Sequence, residues 1–174
     1  MTNKTESLDK LPTDVREVAR AARRILVVTG DKDDEYAEVR GTALNVAAET
    51  GAEVILYDHS AESHFVDPYI AGPVAAEVRG THGESLLDEH AAETLGRAYL
   101  ADQIREARTR GIEKAGAWLP LHTGSDGIAE CVSRFEADLV IAPEAFAKGL
   151  EVGAPVLVLG QDGKPSLETG PSQP

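Results

Sequence analysis

The chain has 174 residues, of which 42% are apolar and 5% aromatic, and its formal net charge is −13. This length and composition predict one domain with a largely aliphatic core. A surface this negative repels phosphate backbones and anionic lipids, which argues against nucleic acid and membrane partners. The single cysteine, Cys131, and the polar first ten residues, which lack the apolar segment of a signal peptide, predict a cytoplasmic location.

Residues 1–20 are predicted to form a mobile tail or a short helix. The first 12 residues carry few apolar side chains that a core could bury. From Thr13 to Arg23 the apolar residues recur at helical spacing, and Thr13 suits the N-cap position of a helix. The domain itself is therefore expected to begin at about residue 21.

A βαβ unit is predicted between residues 24 and 58. The continuous apolar run of Ile25–Thr29 is typical of a strand buried on both faces, and it ends at a Gly-Asp turn. Helical spacing of apolar residues follows, up to Gly51, which suits the end of a helix. The apolar run in Glu53–Asp58 then predicts a second strand. Connections of this kind between parallel strands are almost always right-handed.

Residues 59–96 are predicted to be an inserted loop, because they interrupt the alternation of strands and helices. They contain four histidines and the turn-forming sequences Asp67-Pro68-Tyr69, Gly72-Pro73 and Gly80-Thr81-His82-Gly83. A loop of this length is either functional or disordered. Within it, Ser85–Asp88 resembles a capping box, which predicts a short helix.

The second half of the chain alternates between helices and strands. The predicted elements are a helix over about residues 97–114, a strand over Ala117–Leu121, a helix over about Ser125–Glu136, and strands over Asp138–Ala142 and Pro155–Leu159. Pro120 lacks a backbone N–H, which suits an edge position for its strand. Residues 161–174 are rich in Gly, Pro and Ser and are predicted to be a disordered tail.

Four segments together resemble one known family. They are Arg24-Ile25-Leu26-Val27-Val28, Thr50-Gly51-Ala52-Glu53-Val54, Glu136-Ala137-Asp138-Leu139-Val140-Ile141 and Ala154-Pro155-Val156-Leu157-Val158-Leu159. In order and spacing they resemble the universal stress protein family over most of a domain at residues 21–160. The resemblance implies an α/β fold with a doubly wound, five-stranded parallel sheet of strand order 3-2-1-4-5. This fold is Rossmann-like and similar to that of adenine nucleotide alpha hydrolases. The resemblance also implies a homodimer through the last strand.

The carboxyl ends of the first, second and fourth strands contain the candidate cofactor-binding residues, since ligands bind at this edge of open α/β sheets. These residues are Thr29, Gly30, Asp31, Asp58, Ala142 and Pro143. The alternative explanation for Asp31 is helix capping by the neighbouring acidic residues. No catalytic or metal-ligating residue is assigned.

Many members of the family bind ATP with an acidic residue after strand one and a glycine-rich loop after strand four. That loop reads Gly, two residues, Gly, nine residues, then Gly followed by Ser or Thr. Residues 143–153 of this chain lack the pattern. Pro143 has no backbone donor for a phosphate, and the carboxylate of Glu144 repels one. We therefore predict no tight ATP binding and no required cofactor.

The histidines offer two candidate metal sites. His82, Asp88 and His90 have spacing that a metal could use, as do His59, Glu62 and His64. Histidines in a long polar loop are more often ordinary surface residues, and no repeated ligand motif is present. We therefore predict that the chain has no metal site.

Two further residues, Ser125 and Cys131, are of types that can carry out catalytic or redox chemistry. Ser125 follows His122 by three residues, but nucleophilic catalysis also needs a base held against the hydroxyl and an oxyanion hole. Ser125 or Asp126 is better explained as a helix N-cap. Cys131 lies on the inward face of its predicted helix, which indicates inert packing rather than redox chemistry.

The leading hypothesis is a non-catalytic, universal-stress-protein-like protein that acts in stress response or regulation and takes, at most, a small-molecule ligand. One alternative is a hydrolase or transferase in which the 59–96 loop forms a lid over Asp31, Asp58 and His122. A second is an adaptor whose 59–96 loop exposes an apolar docking patch. A third is a nucleotide-binding universal stress protein with a non-standard phosphate loop.

Overall fold

The computed structural model describes residues 8–31, 33–60, 86–120, 124–147, 150–160 and 164–168. Its helices are a 3-10 turn at Leu8–Lys10, α1 (Thr13–Ala21), α2 (Asp33–Thr50), α3 (Glu89–Thr94), α4 (Ala98–Thr109), α5 (Ser125–Phe135) and α6 (Glu144–Ala147). Its strands are β1 (Arg24–Thr29), β2 (Glu53–Asp58), β3 (Ala115–Trp118), β4 (Leu139–Pro143), β5 (Val156–Leu159) and β6 (Pro165–Glu168). Among the helices in these ranges, none is both long and apolar enough to cross a membrane.

The strands form one sheet of order β3-β2-β1-β4-β5-β6. Strands β1 to β5 are parallel, which confirms the predicted order 3-2-1-4-5 with β3 at an edge. The sheet has a sixth strand, however, because Pro165–Glu168 pairs antiparallel with β5. The prediction of a disordered tail over residues 161–174 is therefore wrong for this segment, and the rest of that tail lies outside the described residues.

Both faces of the sheet are buried, as the continuous apolar runs predict. Successive strand residues point to opposite faces, so Ile25 and Val27 join one apolar cluster while Leu26 and Val28 join another. The first cluster includes apolar residues of α1, α2 and α4, and the second includes those of α5. Helices therefore cover both faces, which is the doubly wound arrangement.

The edge strand β3 begins and ends earlier than predicted. It spans Ala115–Trp118, so Pro120 lies beyond the strand and not within it. Leu87 forms an antiparallel bridge to Ala117, with backbone N–H to O distances of 2.8 and 3.0 Å. A Cβ atom on Gly116 would lie 2.6 Å from the Leu86 side chain. Part of this edge is therefore covered by residues from the inserted loop, and glycine permits the close approach.

Termini of α3, α4 and α5 differ from their predictions. Asp88 is the N-cap of α3 and accepts a hydrogen bond from the Ala91 N–H at 2.8 Å, whereas Ser85 lies outside the described residues. Helix α4 ends at Thr109, short of residue 114, and Gly111 follows it with φ +88°. The N-cap of α5 is Gly124 with no side-chain hydrogen bond, so neither Ser125 nor Asp126 caps that helix.

Residues before α1 take part in the core. Leu8 and Leu11 are buried in the first apolar cluster, and the Leu8 N–H donates to Glu49 Oε2 at 3.1 Å. The prediction of a mobile segment before residue 13 is therefore wrong from Leu8 onward. The error arose because two leucines in a polar segment are a weak sequence signal. The predicted helix α1 is present, but Pro12 and not Thr13 is its N-cap, and it ends at Ala21 instead of Arg23.

Leu11→Ala is expected to lower the free energy of unfolding by about 2–4 kcal/mol, because truncating a buried leucine leaves a cavity. Leu11 is 3% exposed. Urea denaturation followed by circular dichroism measures the effect. Asp9→Ala is the matched control, since its carboxylate is on the surface and its ion pair with Arg20 is solvated; it should change stability by less than about 0.5 kcal/mol. Equal, small effects of both substitutions would contradict a packed N-terminal segment.

Candidate functional site

A crevice opens between β1 and β4 at their carboxyl ends. Strand β1 pairs with β2 along its whole length, to Thr29 opposite Asp58. Its pairing with β4 ends at Val27 opposite Ile141, before either strand ends. The order of the strands also reverses at this point, because the chain runs outward from β1 to β2 on one side and from β4 to β5 on the other. This is where open α/β sheets bind ligands.

Three aromatic rings from separate elements meet at this crevice. Phe146 lies in α6, directly after β4, and its ring centroid is 6.1 Å from that of Tyr36 in α2 and 4.1 Å from that of His59 after β2. Tyr36 is buried and belongs to the second apolar cluster, against which Phe146 also packs. The rings therefore connect the end of β1 with the end of β4.

Gly30 is needed because of Tyr36. A Cβ atom at Gly30 would lie 2.7 Å from Cε2 of the Tyr36 ring. A glycine at the end of a central strand often allows a phosphate to approach the backbone. Here the side chain of the following helix occupies that approach, so the glycine accommodates the chain's own tyrosine.

The end of β1 is also held from the side of α4. Thr29 is fully buried, and its Oγ1 donates to Gln103 Oε1 at 2.9 Å. Gln103 Nε2 donates to the Gly30 carbonyl at 3.5 Å. The Thr29 carbonyl accepts the His59 N–H at 2.7 Å. These bonds position the turn and use polar groups that a ligand would otherwise contact.

Asp58 is a fully buried carboxylate at the end of β2. Its Oδ2 accepts the Tyr99 hydroxyl at 2.5 Å and lies 3.6 Å from Arg97 Nε. Its Oδ1 accepts both the hydroxyl and the N–H of Ser60, at 2.6 and 3.0 Å. Buried charges require this kind of compensation by an opposite charge and hydrogen bonds. Asp58 therefore connects β2, α4 and the start of the inserted loop.

The remaining candidate residues lie around the same edge. Asp31 is exposed, and its N–H donates to Ser60 Oγ at 3.1 Å. Ala142 is buried, whereas Pro143 is half-buried and is the last residue of β4, opposite Leu159. The structure thus brings the ends of β1 and β2 together through hydrogen bonds. It places Ala142 and Pro143 at the end of β4, next to α6.

Sequence reasoning missed Arg97, Tyr99, Gln103 and Phe146 as parts of this region. A signal was present for two of them. Arg97 and Gln103 lie among Leu100, Ile104 and Ala107, which form the buried face of α4, and both are buried themselves. A polar residue on an otherwise apolar helix face indicates a buried hydrogen-bond partner. No comparable signal marks Tyr99 or Phe146.

Only some residues of the predicted alternative sites lie within the described part of the chain. His64, His82 and His122 lie outside the described residues, as does Glu62. Asp88 caps α3 and His90 is exposed on that helix, while Ser125 is exposed at the start of α5. Among the described residues, no three or more His, Cys, Asp or Glu side chains lie together in a group that could hold a metal ion.

Cys131 is fully buried in the second apolar cluster. Burial raises the pKa of its thiol well above the ordinary value, and the charge of Glu130 adds to this effect. The thiolate is the reactive form of cysteine. We expect iodoacetamide at pH 8 to label the native protein far more slowly than the urea-unfolded protein. Similar labelling rates in the two states would contradict an inert packing role.

Tyr99 gives the fold a measurable dependence on alkaline pH. Burial raises the pKa of its hydroxyl, as do the charge of Asp58 and the hydrogen bond to it. In the unfolded chain a tyrosine ionises near pH 10, whereas folded Tyr99 retains its proton to higher pH. The stability that Tyr99 contributes is therefore complete below about pH 10 and falls as the pH rises above it.

Tyr99→Phe is expected to lower the free energy of unfolding at neutral pH by about 1–3 kcal/mol, because it removes a hydrogen bond to a buried carboxylate. Above about pH 10 the difference between the wild type and the variant should shrink. Urea denaturation at a series of pH values measures both effects. Tyr57, whose pKa burial also raises, is present in both proteins, so the difference isolates Tyr99. A difference that stays constant with pH would contradict this role.

The comparisons with solved structures find universal stress proteins of similar fold. No protein-family model matches the chain, and no curated protein does. The structure of a universal stress protein from Archaeoglobus fulgidus has a TM-score of 0.50 and 14% identity, over 78% of this chain and 92% of that one. A universal stress protein in complex with cAMP has a TM-score of 0.47 and 16% identity, over 80% and 98% of the two chains. The chain therefore has the α/β fold of the universal stress proteins.

Proposed function

We propose that the protein is a non-catalytic, universal-stress-protein-like protein of the cytoplasm, which acts in stress response or regulation without binding ATP tightly. The observation that carries this proposal is the aromatic contact across the β1–β4 crevice. Tyr36 packs on Gly30, and Phe146 packs on both Tyr36 and His59. The chain's own side chains thus hold the place where a ligand would lie in an open α/β sheet.

The start of α6 supports the same conclusion for phosphate groups. Phosphate binding relies on several free backbone N–H groups, close approach at glycine and the positive end of a helix. Helix α6 spans only Glu144–Ala147, and it begins with an acidic residue. Pro143 precedes it and provides no N–H. The exposed carboxylate of Asp31 lies at the end of β1 and adds negative charge.

The hydrogen bonds that Asp58 accepts argue against the hydrolase or transferase alternative. A general base or nucleophile must have a free oxygen that faces the substrate. Both carboxylate oxygens of Asp58 already accept hydrogen bonds, from Tyr99 and from Ser60. His122 lies outside the described residues, so its part in such a site stays a prediction.

The predicted homodimer through the last strand also stays a prediction. The last strand of the predicted sheet is β5, and a dimer through this strand would use its outer side. In the structure β5 pairs with β4 on one side and with β6 on the other. A dimer through β5 therefore requires a rearrangement and is not part of the proposed function.

Isothermal titration of Mg²⁺-ATP and of adenosine tests the proposed function. We expect neither ligand to bind the wild type with micromolar affinity. Phe146→Ala should strengthen adenosine binding by up to about tenfold, since it removes a ring contact worth about 0.5–1.5 kcal/mol. It should leave ATP binding weak, because no phosphate cradle is gained.

The matched control is Phe135→Ala. Phe135 is also a half-buried phenylalanine that packs on the second apolar cluster, but its ring contact is with Trp118. This substitution should leave adenosine binding unchanged. Micromolar binding of ATP by the wild type would overturn the proposal.

A further inference from the structure

The pairing of β5 with β6 determines which backbone groups of the sheet edge remain open. The register sets Val156 opposite Glu168 and Val158 opposite Ser166. The Gly160 N–H donates to the Lys164 carbonyl at 3.2 Å, so residues 160 and 164 are a hydrogen-bonded pair. In antiparallel strands such pairs alternate with non-hydrogen-bonded ones. The pairs 158–166 and 156–168 are therefore hydrogen-bonded as well.

Strand β5 depends on this pairing for its polar backbone groups. Its four residues Val156–Leu159 are apolar and buried. Its other side faces β4, where the Val140 N–H donates to the Pro155 carbonyl at 2.9 Å. Without β6, the N–H and C=O groups of Val156 and Val158 would be exposed along a strand with apolar side chains. An edge of this kind pairs readily with another chain.

The side chains of β6 hold it in place from one face only. Leu167 is partly buried and packs against the first apolar cluster, which also contains Leu157 and Leu159 of β5. Ser166 and Glu168 are exposed on the opposite face. Helix α1 contacts β6 on the covered face. Leu167, with the half-buried Pro165 on the same face, therefore anchors the strand in addition to its backbone hydrogen bonds.

The outer side of β6 is a poor template for a further strand. The alternation places the backbone groups of Pro165 and Leu167 on that side. Pro165 has no N–H, so Leu167 provides the only outward N–H among the described residues of β6. Proline and short length are two ways in which natural sheet edges avoid pairing.

We propose that β6 closes the sheet against a second copy of this chain. A second copy pairs along β5 only after β6 has left the sheet, and the outer side of β6 does not replace β5 as a pairing edge. The net charge of −13 also disfavours association with a second copy, because two such chains repel each other at low salt. This inference is independent of any ligand in the β1–β4 crevice, so it can fail without affecting the proposed function.

Hydrogen exchange in the wild-type protein, read residue by residue by NMR, tests the pairing directly. The N–H groups of Val156, Val158, Ser166 and Glu168 should be protected, whereas that of Leu167 should exchange rapidly. Light scattering coupled to gel filtration should give the mass of a monomer. Protection of the Leu167 N–H in a wild-type dimer would overturn the proposal, since it would show pairing through the outer side of β6. Rapid exchange at Ser166 and Glu168 would overturn it too.

Ser166→Pro tests whether β6 limits self-association. It removes the N–H that faces Val158 and should release β6. We expect a dimer at high protein concentration, with a mass that rises further as salt screens the repulsion. Ser166→Ala is the matched control, because it keeps the N–H at an exposed position, and it should remain a monomer.

The outcome of Ser166→Pro is read together with its fold. Circular dichroism and the protection of β1 amides show whether the rest of the sheet remains formed. A folded variant that stays monomeric while its Val156 and Val158 amides exchange rapidly would overturn the proposal. If the variant does not fold, the exchange pattern and mass of the wild type decide the question alone.

Discussion

The buried carboxylate of Asp58 is the constraint on which the carboxyl edge of the sheet depends. A fully buried charge is costly unless an opposite charge and hydrogen bonds compensate it. Tyr99 and Arg97 come from the segment that begins α4, and Ser60 comes from the turn after β2. Compensation of Asp58 therefore requires three parts of the chain to meet at one point. The same requirement orders the turn after β1, because Ser60 Oγ also accepts the Asp31 N–H.

Segments of the chain itself cover the positions at which a fold of this kind can bind a ligand or pair with another chain. At the β1–β4 crevice, Tyr36 and Phe146 take the positions between the strand ends. At one sheet edge Leu87 bridges to β3, and at the other β6 pairs with β5. The Tyr36–Phe146 and Leu87–Ala117 contacts join segments that are distant in sequence, whereas β5 and β6 are consecutive antiparallel strands. Together these contacts close the open positions of the sheet with segments of the same chain.

Much of the fold was predictable from sequence, because it depends on local patterns. The run Ile25–Thr29 has the apolar continuity of a strand buried on both faces, and the segment before Gly51 has helical spacing. Glycine at residue 51, with φ +77°, ends α2 where predicted. The residues at the ends of β1 and β2 could also be located, since strand ends follow from strand positions. Their bonding partners could not.

The sequence by itself determined the order of strands and helices, the doubly wound sheet and the edge at which a site would form. Only the tertiary structure decided what occupies that edge. Tyr99 bonds Asp58 across 41 residues, and nothing local to either residue indicates the other. Likewise Pro165–Glu168 contains one clearly apolar residue and becomes a strand because β5 provides backbone partners. Such contacts depend on which segments the fold brings together, and a local pattern does not contain that information.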